Sequence, residues 1–133
     1  MLQSKLYGSA GEAVDDSASQ LKKFQKELSA GTVSLVLLAV LGQSRQPLYG
    51  YQIAKRLEEA GEGVLAGKQS ALYPVLRNLE GAGLLASEVE PSVSGPPRRY
   101  YRITKFGREV LREWVAAWSA TRDSVDKLLQ GEW

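Results

Sequence analysis

From Ser17 onward, apolar residues recur mostly at intervals of three and four, the spacing that gathers them on one face of an α-helix. Ala18, Leu21, Phe24 and Leu28 predict a short amphipathic helix, with Asp15, Asp16 and Ser17 available to cap its start and Gly31 placed to end it. Thr32 then offers a cap to a second helix whose interior, Val33 to Leu41, is apolar nearly all round and belongs in a core. After a proline-containing turn over 43–48, Ile53, Ala54, Leu57 and Ala60 mark a third helix that begins near Tyr49 and ends at Gly61. A fourth follows the glycine-rich loop 61–67. Leu72, Val75, Leu76, Leu79 and Ala82 form its inward stripe, and Gly83 stops it. Pro74 favours a late start for this helix, because proline has no N–H to bond to the turn before it.

The period then changes. Residues 84–90 have extended character, 91–97 form a Pro/Gly/Ser turn, and 99–104 alternate aromatic and Ile positions with polar ones, which predicts a hairpin. Thr104 caps a last helix from Lys105 to about Gln130. Within it Leu111, Trp118 and Val125 lie seven apart, as do Trp114, Thr121 and Leu128, with Val115 and Leu129 beside them. So long a seam on a terminal helix is expected to wrap a second copy of the chain; the alternative is that the helix packs on its own domain.

Helices followed by a hairpin in this order are the plan of a winged helix-turn-helix, in which one helix enters the DNA major groove and the hairpin reaches the backbone. The expected fold is therefore mainly α with a two-stranded β wing, extended by a long C-terminal dimerisation helix. The expected organisation is a tail over 1–14 without apolar period, an amphipathic helix over 15–31 that contributes to a dimer, a winged-helix DNA-binding domain over 32–104, and a dimerisation helix over 105–133.

Composition removes most alternatives. The 133 residues suffice for one modest core, and 44% hydrophobic with 24% charged residues suits a folded globular chain. There is no cysteine and no histidine, which excludes disulfides, thiolate nucleophiles, imidazole bases and Cys/His zinc sites. No nucleophile and base can be named, so the expectation is a non-enzyme without metal or cofactor. The glycine-rich loop fails as a phosphate loop, since position 62 is Glu and Lys68 is followed by Gln69 rather than Ser or Thr. The longest apolar run, Leu35 to Leu41, covers seven residues, against the ~20 that span a bilayer. With no secretory pattern at the start of the chain, a cytoplasmic protein without membrane contact is expected.

Net charge is +2, too small to point anywhere, but its distribution is uneven. Arg98, Arg99, Arg102, Lys105 and Arg108 fall within eleven positions that contain no acidic residue. On the fourth helix Gln69, Ser70, Tyr73 and Arg77 share the face away from the apolar stripe, with Lys68 just before them. These groups donate, accept, stack and carry positive charge, as base edges and phosphates require. Tyr49 and Gly50, at the start of the third helix, complete the candidate contact set, the glycine because it lets a backbone approach closely; the alternatives are a simple helix cap at Gly50 and a packing role for Tyr73.

Three ordered motifs carry a family resemblance. Leu48-Tyr49-Gly50-Tyr51-Gln52-Ile53 is the first. The second is Leu72-Tyr73-Pro74-Val75-Leu76-Arg77-Asn78-Leu79-Glu80 with Gly83-Leu84-Leu85. The third is Gly95-Pro96-Pro97-Arg98-Arg99-Tyr100-Tyr101-Arg102-Ile103-Thr104 with Gly107. Together they resemble the PadR-like transcriptional regulators over about three quarters of the chain. The resemblance implies a dimeric regulator of the repressor type, in the family's shorter form with one C-terminal dimerisation helix. Two departures bear on which bases are read: Ser70-Ala71 stands where the family usually has Gly-Thr, and Asn78 where Arg is common.

The functional expectation is a sequence-specific DNA-binding repressor that holds a two-fold-related operator on double-stranded DNA as a homodimer. A small planar aromatic effector is expected to release it. Trp114 and Trp118 are the candidate effector residues, because tight coiled coils favour Leu, Ile or Val at seam positions and bulky rings leave a gap with stacking walls. The plain alternative is that both rings fill a wide interface. The alternative function is a winged-helix dimer acting as a protein-interaction module, which has no need of unopposed wing arginines.

Overall fold

The computed structural model describes residues 16–61 and 69–133. In chain order they form α1 (Ser17–Gln43), β1 (Leu48–Tyr49), α2 (Gly50–Glu59), α3 (Gln69–Gly81), β2 (Leu85–Glu90), β3 (Arg98–Ile103) and α4 (Lys105–Leu128). Most of the chain is helical, as expected, with a small antiparallel sheet. It divides between Thr32 and Val33 into two units.

In the N-terminal unit the Asp16 carboxylate accepts the Ser19 N–H at 2.9 Å, which caps α1 and holds the Asp16 pKa below the usual carboxylate range. Leu21, Phe24 and Leu28 are all exposed. The expected break at Gly31 and fresh cap at Thr32 do not occur. The Thr32 hydroxyl instead donates back to the Leu28 carbonyl at 2.9 Å, a bond made inside a continuing helix. A mid-helix glycine costs only ~1 kcal/mol, and Gly31 lacks the positive φ that would turn the chain aside.

The larger unit is built around one core. Leu37, Leu38 and Leu41 of α1, Ile53 and Leu57 of α2, and Leu72, Leu76 and Leu79 of α3 meet Leu84, Leu85, Leu48, Tyr101 and Ile103 from the strands and their flank. Ala60 and Ala82, expected on inward stripes, are exposed because their helices have already ended. By length and composition α1 could also cross a bilayer, a test that core helices pass too, and its Leu37, Leu38 and Leu41 are buried here.

The sheet has three strands in the order β1-β3-β2, not the two expected. Leu48 pairs with Tyr101 and Tyr49 with Tyr100, while β2 runs against β3 from Leu85–Ile103 to Glu90–Arg98. β1 is two residues long, too short to show an alternation in sequence.

Local chemistry sets the ends of the helices. The Gln52 side chain accepts the Tyr49 N–H at 3.1 Å at the head of α2, and Gly61 leaves that helix at φ 130°. Pro74 stands in the second turn of α3. At the far end of α3, Gly83 adopts φ 82°, its N–H reaching Glu80 and the Leu84 N–H reaching Leu79, each at 2.9 Å. Such a left-handed glycine satisfies the last carbonyls and turns the chain into β2.

The same corner starts α4. The Thr104 hydroxyl donates to the Gly83 carbonyl at 2.7 Å and accepts the Gly107 N–H at 2.9 Å, so one side chain joins the end of α3 to the cap of α4. Gly107 is buried, and a Cβ there would overlap the Leu84 carbonyl. Val110, Leu111 and Trp114 pack against the core, and Arg108 donates to the Gly42 carbonyl at 3.1 Å.

Candidate nucleic-acid interface

β1, α3 and the wing bring their polar groups to one groove of about 230 Å³, lined by Tyr49, Tyr73, Arg98 and Arg99 with Ser92, Ser94, Pro96 and Pro97 of the wing turn. Pairing of Tyr49 with Tyr100 puts the two rings edge to face, 5.3 Å between centroids. The Arg98 guanidinium lies 4.5 Å from the Tyr49 ring centroid. A cation over a phenol face gains ~0.5–1 kcal/mol at an exposed site, so Arg98 has a preferred place over β1 and keeps its N–H donors for a ligand. Two guanidinium groups, two phenols and two serine hydroxyls within one open groove suit the oxygens of a phosphate backbone.

Strand parity separates the two arginines. Arg98, Tyr100 and Arg102 alternate with Arg99, Tyr101 and Ile103, and the second set includes the buried Tyr101 and Ile103. Arg99 therefore extends on the core side of the sheet, where its Nη1 donates to Ser87 Oγ at 2.9 Å and Ser87 Oγ donates to Glu80 Oε2 at 2.8 Å. Arg98 extends on the other side, with Glu90 as its register partner.

The basic run has acidic neighbours that its own sequence does not contain. Glu80 reaches Arg99 through the Ser87 hydroxyl, Glu90 is the register partner of Arg98 and Glu88 that of Tyr100, and Arg108 donates to the Gly42 carbonyl at the end of α1.

The remaining candidates divide clearly. Ser70 and Arg77 are exposed on α3, three residues before and four after Tyr73. Tyr73, expected on the outward face, is half-buried and packs against the core while still lining the groove. Gly50 is buried at the first position of α2 and presents no open backbone. Lys68 and the side chain of Gln69 lie outside the described residues. Trp114 packs on its own core, whereas Trp118 is 39% exposed, so the structure does not treat the two rings alike. Among the described residues no cluster of carboxylates could hold a metal ion.

Sequence reasoning misses Glu80, Ser87 and the serines of the wing turn. Alternation along β2 is the available signal for Ser87, since Leu85 and Ser87 share the parity that faces the core. The Tyr101 phenol is raised by burial above all. Arg99 and Arg77 pull it down while Glu80 and Tyr73 push it up, which marks how closely these five groups are gathered.

Solved structures share this fold. The chain is similar to a PadR family transcriptional regulator from Eggerthella lenta, with TM-score 0.71 and 40% identity, covering 86% of this chain and 96% of that one. A PadR-like transcriptional regulator from Bacillus cereus matches with TM-score 0.67 and 29% identity, covering 80% of this chain and 99% of the other. A transcriptional regulator of Mycobacterium tuberculosis is 41% identical over 66 residues, 50% of this chain and 58% of that protein. Residues 37–113, more than half of the chain and including α2, α3, the wing and the first turns of α4, match the PadR-like transcriptional regulator family, and the chain belongs to that family of DNA-binding regulators.

Proposed function

We propose that the protein represses transcription by holding a two-fold-related operator as a homodimer, α3 reading bases and the wing gripping the backbone. The observation that carries this reading is the groove in which Tyr49, Tyr73, Arg98 and Arg99 meet between α3 and the wing turn. The second copy is supported by apolar groups that the chain leaves uncovered. On α4 and its C-cap these are Val115, Trp118, Val125, Leu128 and Leu129, and on the N-terminal part of α1 they are Leu21, Phe24 and Leu28. A symmetric dimer presents two copies of α3, so half-sites lie about one helical turn, ~34 Å, apart.

In this reading Arg98 and Arg99 position the protein, whereas Gln69, Ser70 and Arg77 choose the sequence. Changing Arg98 and Arg99 together to Ala weakens binding to all duplexes and lowers the salt slope by ~0.9 for each phosphate that is no longer neutralised. Changing Gln69 to Ala shifts base preference in a selection from random DNA. Equal behaviour of the two variants overturns the division, and failure of the parent chain to shift any duplex favours a protein-interaction module. Release by a planar aromatic effector at Trp118 and its symmetry mate belongs to the same reading. Tryptophan quenching by such compounds that operator DNA reduces supports it, since linkage makes the two bindings reciprocal.

A further inference from the structure

The chain Glu80–Ser87–Arg99 links three elements through one hydroxyl. Glu80 is the carboxylate of α3, Ser87 stands in the middle of β2, and Arg99 belongs to β3 where the wing begins. Ser87 donates to the carboxylate at 2.8 Å and accepts from the guanidinium at 2.9 Å, so each bond is charge-assisted and each strengthens the other. Glu80 and Ser87 are half-buried, while Arg99 is exposed and lines the groove.

Arginine carries five N–H donors in a fixed fork, and holding one of them at Ser87 restricts where the other four point. A long side chain that is already ordered loses less rotamer freedom when it meets a phosphate. Arg98 is held differently, by the Tyr49 ring. The two neighbouring cations therefore have separate supports, and that of Arg99 is anchored on the helix proposed to read bases.

We propose that Ser87, braced by Glu80, is a positioning residue for DNA binding, holding the Arg99 guanidinium toward the backbone at a set distance from α3 without touching DNA itself. The inference rests on the interface reading above, and the experiment separates the two. The probe is a fluorescein-labelled duplex of mixed sequence, about 30 base pairs long, titrated with the full chain at several salt concentrations.

The Ser87→Ala variant is expected to bind about 3- to 10-fold more weakly with an unchanged salt slope, because the charge of Arg99 remains. Ser87→Thr, which keeps the hydroxyl, restores parental affinity. In an Arg99→Ala background the Ser87→Ala change has no further effect, whereas a merely structural role would add to that of Arg99→Ala and lower the melting temperature. Glu80→Ala, which leaves the sheet untouched, reproduces the Ser87→Ala result and serves in its place if that variant unfolds. Parental binding by Ser87→Ala alongside weakened binding by Arg99→Ala overturns the brace alone, as does additivity of the two changes. Parental binding by Arg99→Ala overturns the interface reading at this residue, and the brace with it.

Discussion

Between Lys105 and Trp114, α4 rests on the core of its own chain, whereas from Val115 to Leu128 the same seven-residue repeat stands uncovered. In the first half Gly107 is buried under the Leu84 carbonyl, and Leu111 and Trp114 pack against the core. In the second half Trp118 is 39% exposed and Leu128 81%. A heptad pattern thus states that a face will be covered but not by what. Close backbone approach at Gly107 draws the first half inward, and no comparable approach is seen in the second half.

Four variants sharpen or break this contrast. The largest effect is expected from Gly107→Val, which drives a branched side chain into the Leu84 carbonyl and costs more than ~4 kcal/mol. Loss of a cooperative melting transition is the readout, and a stable variant would mean that the first half is not clamped. Next, Trp118→Glu with Val125→Glu should turn the proposed dimer into a monomer in sedimentation, losing ~2–4 kcal/mol of association. Each protomer should still melt cooperatively; unchanged mass would show that the second half is not the dimer seam.

Thr104→Ala should cost ~1–2 kcal/mol in urea unfolding, since it removes a helix cap and leaves the Gly83 carbonyl without that donor. The smallest effect belongs to Asp123→Asn. Its ion pair with Arg122 spans 3.3 Å between neighbours that are both more than half exposed, and its loss should move stability by less than ~0.5 kcal/mol. A larger change would indicate that this part of α4 is covered after all.

Elements legible from the chain are those whose cause is local. The stripes of α2 and α3, the stop at Gly83 and the cap at Thr104 follow from spacing and turn chemistry within a few residues. The unread features depend on distant partners. Two-residue β1 is a strand only because Tyr100 and Tyr101 lie beside it. Composition alone suggests a stop at Gly31, yet without a positive φ this glycine continues the helix. The carboxylates near the run from Arg98 to Arg108 are not visible in it because Glu80, Glu88 and Glu90 precede it in sequence by eight residues or more. For the interface, residue types are legible at Tyr49, Arg98 and Arg99. The burial of Gly50 and the half-burial of Tyr73 depend on how α2 and α3 seat against the sheet.

The hydroxyl shared between Gly83 and Gly107 also fixes a phase. Because Thr104 both closes the corner after α3 and opens α4, the rotation of α4 about its own axis is set where it leaves β3. One residue inserted between Ile103 and Thr104 would rotate every later side chain by ~100°, carrying Trp118 and Val125 off their common line of approach while leaving the helix intact. The wing turn after Glu90 has no such obligation. Length can therefore vary at the wing tip, whereas at the root of α4 the residue count itself is part of the design.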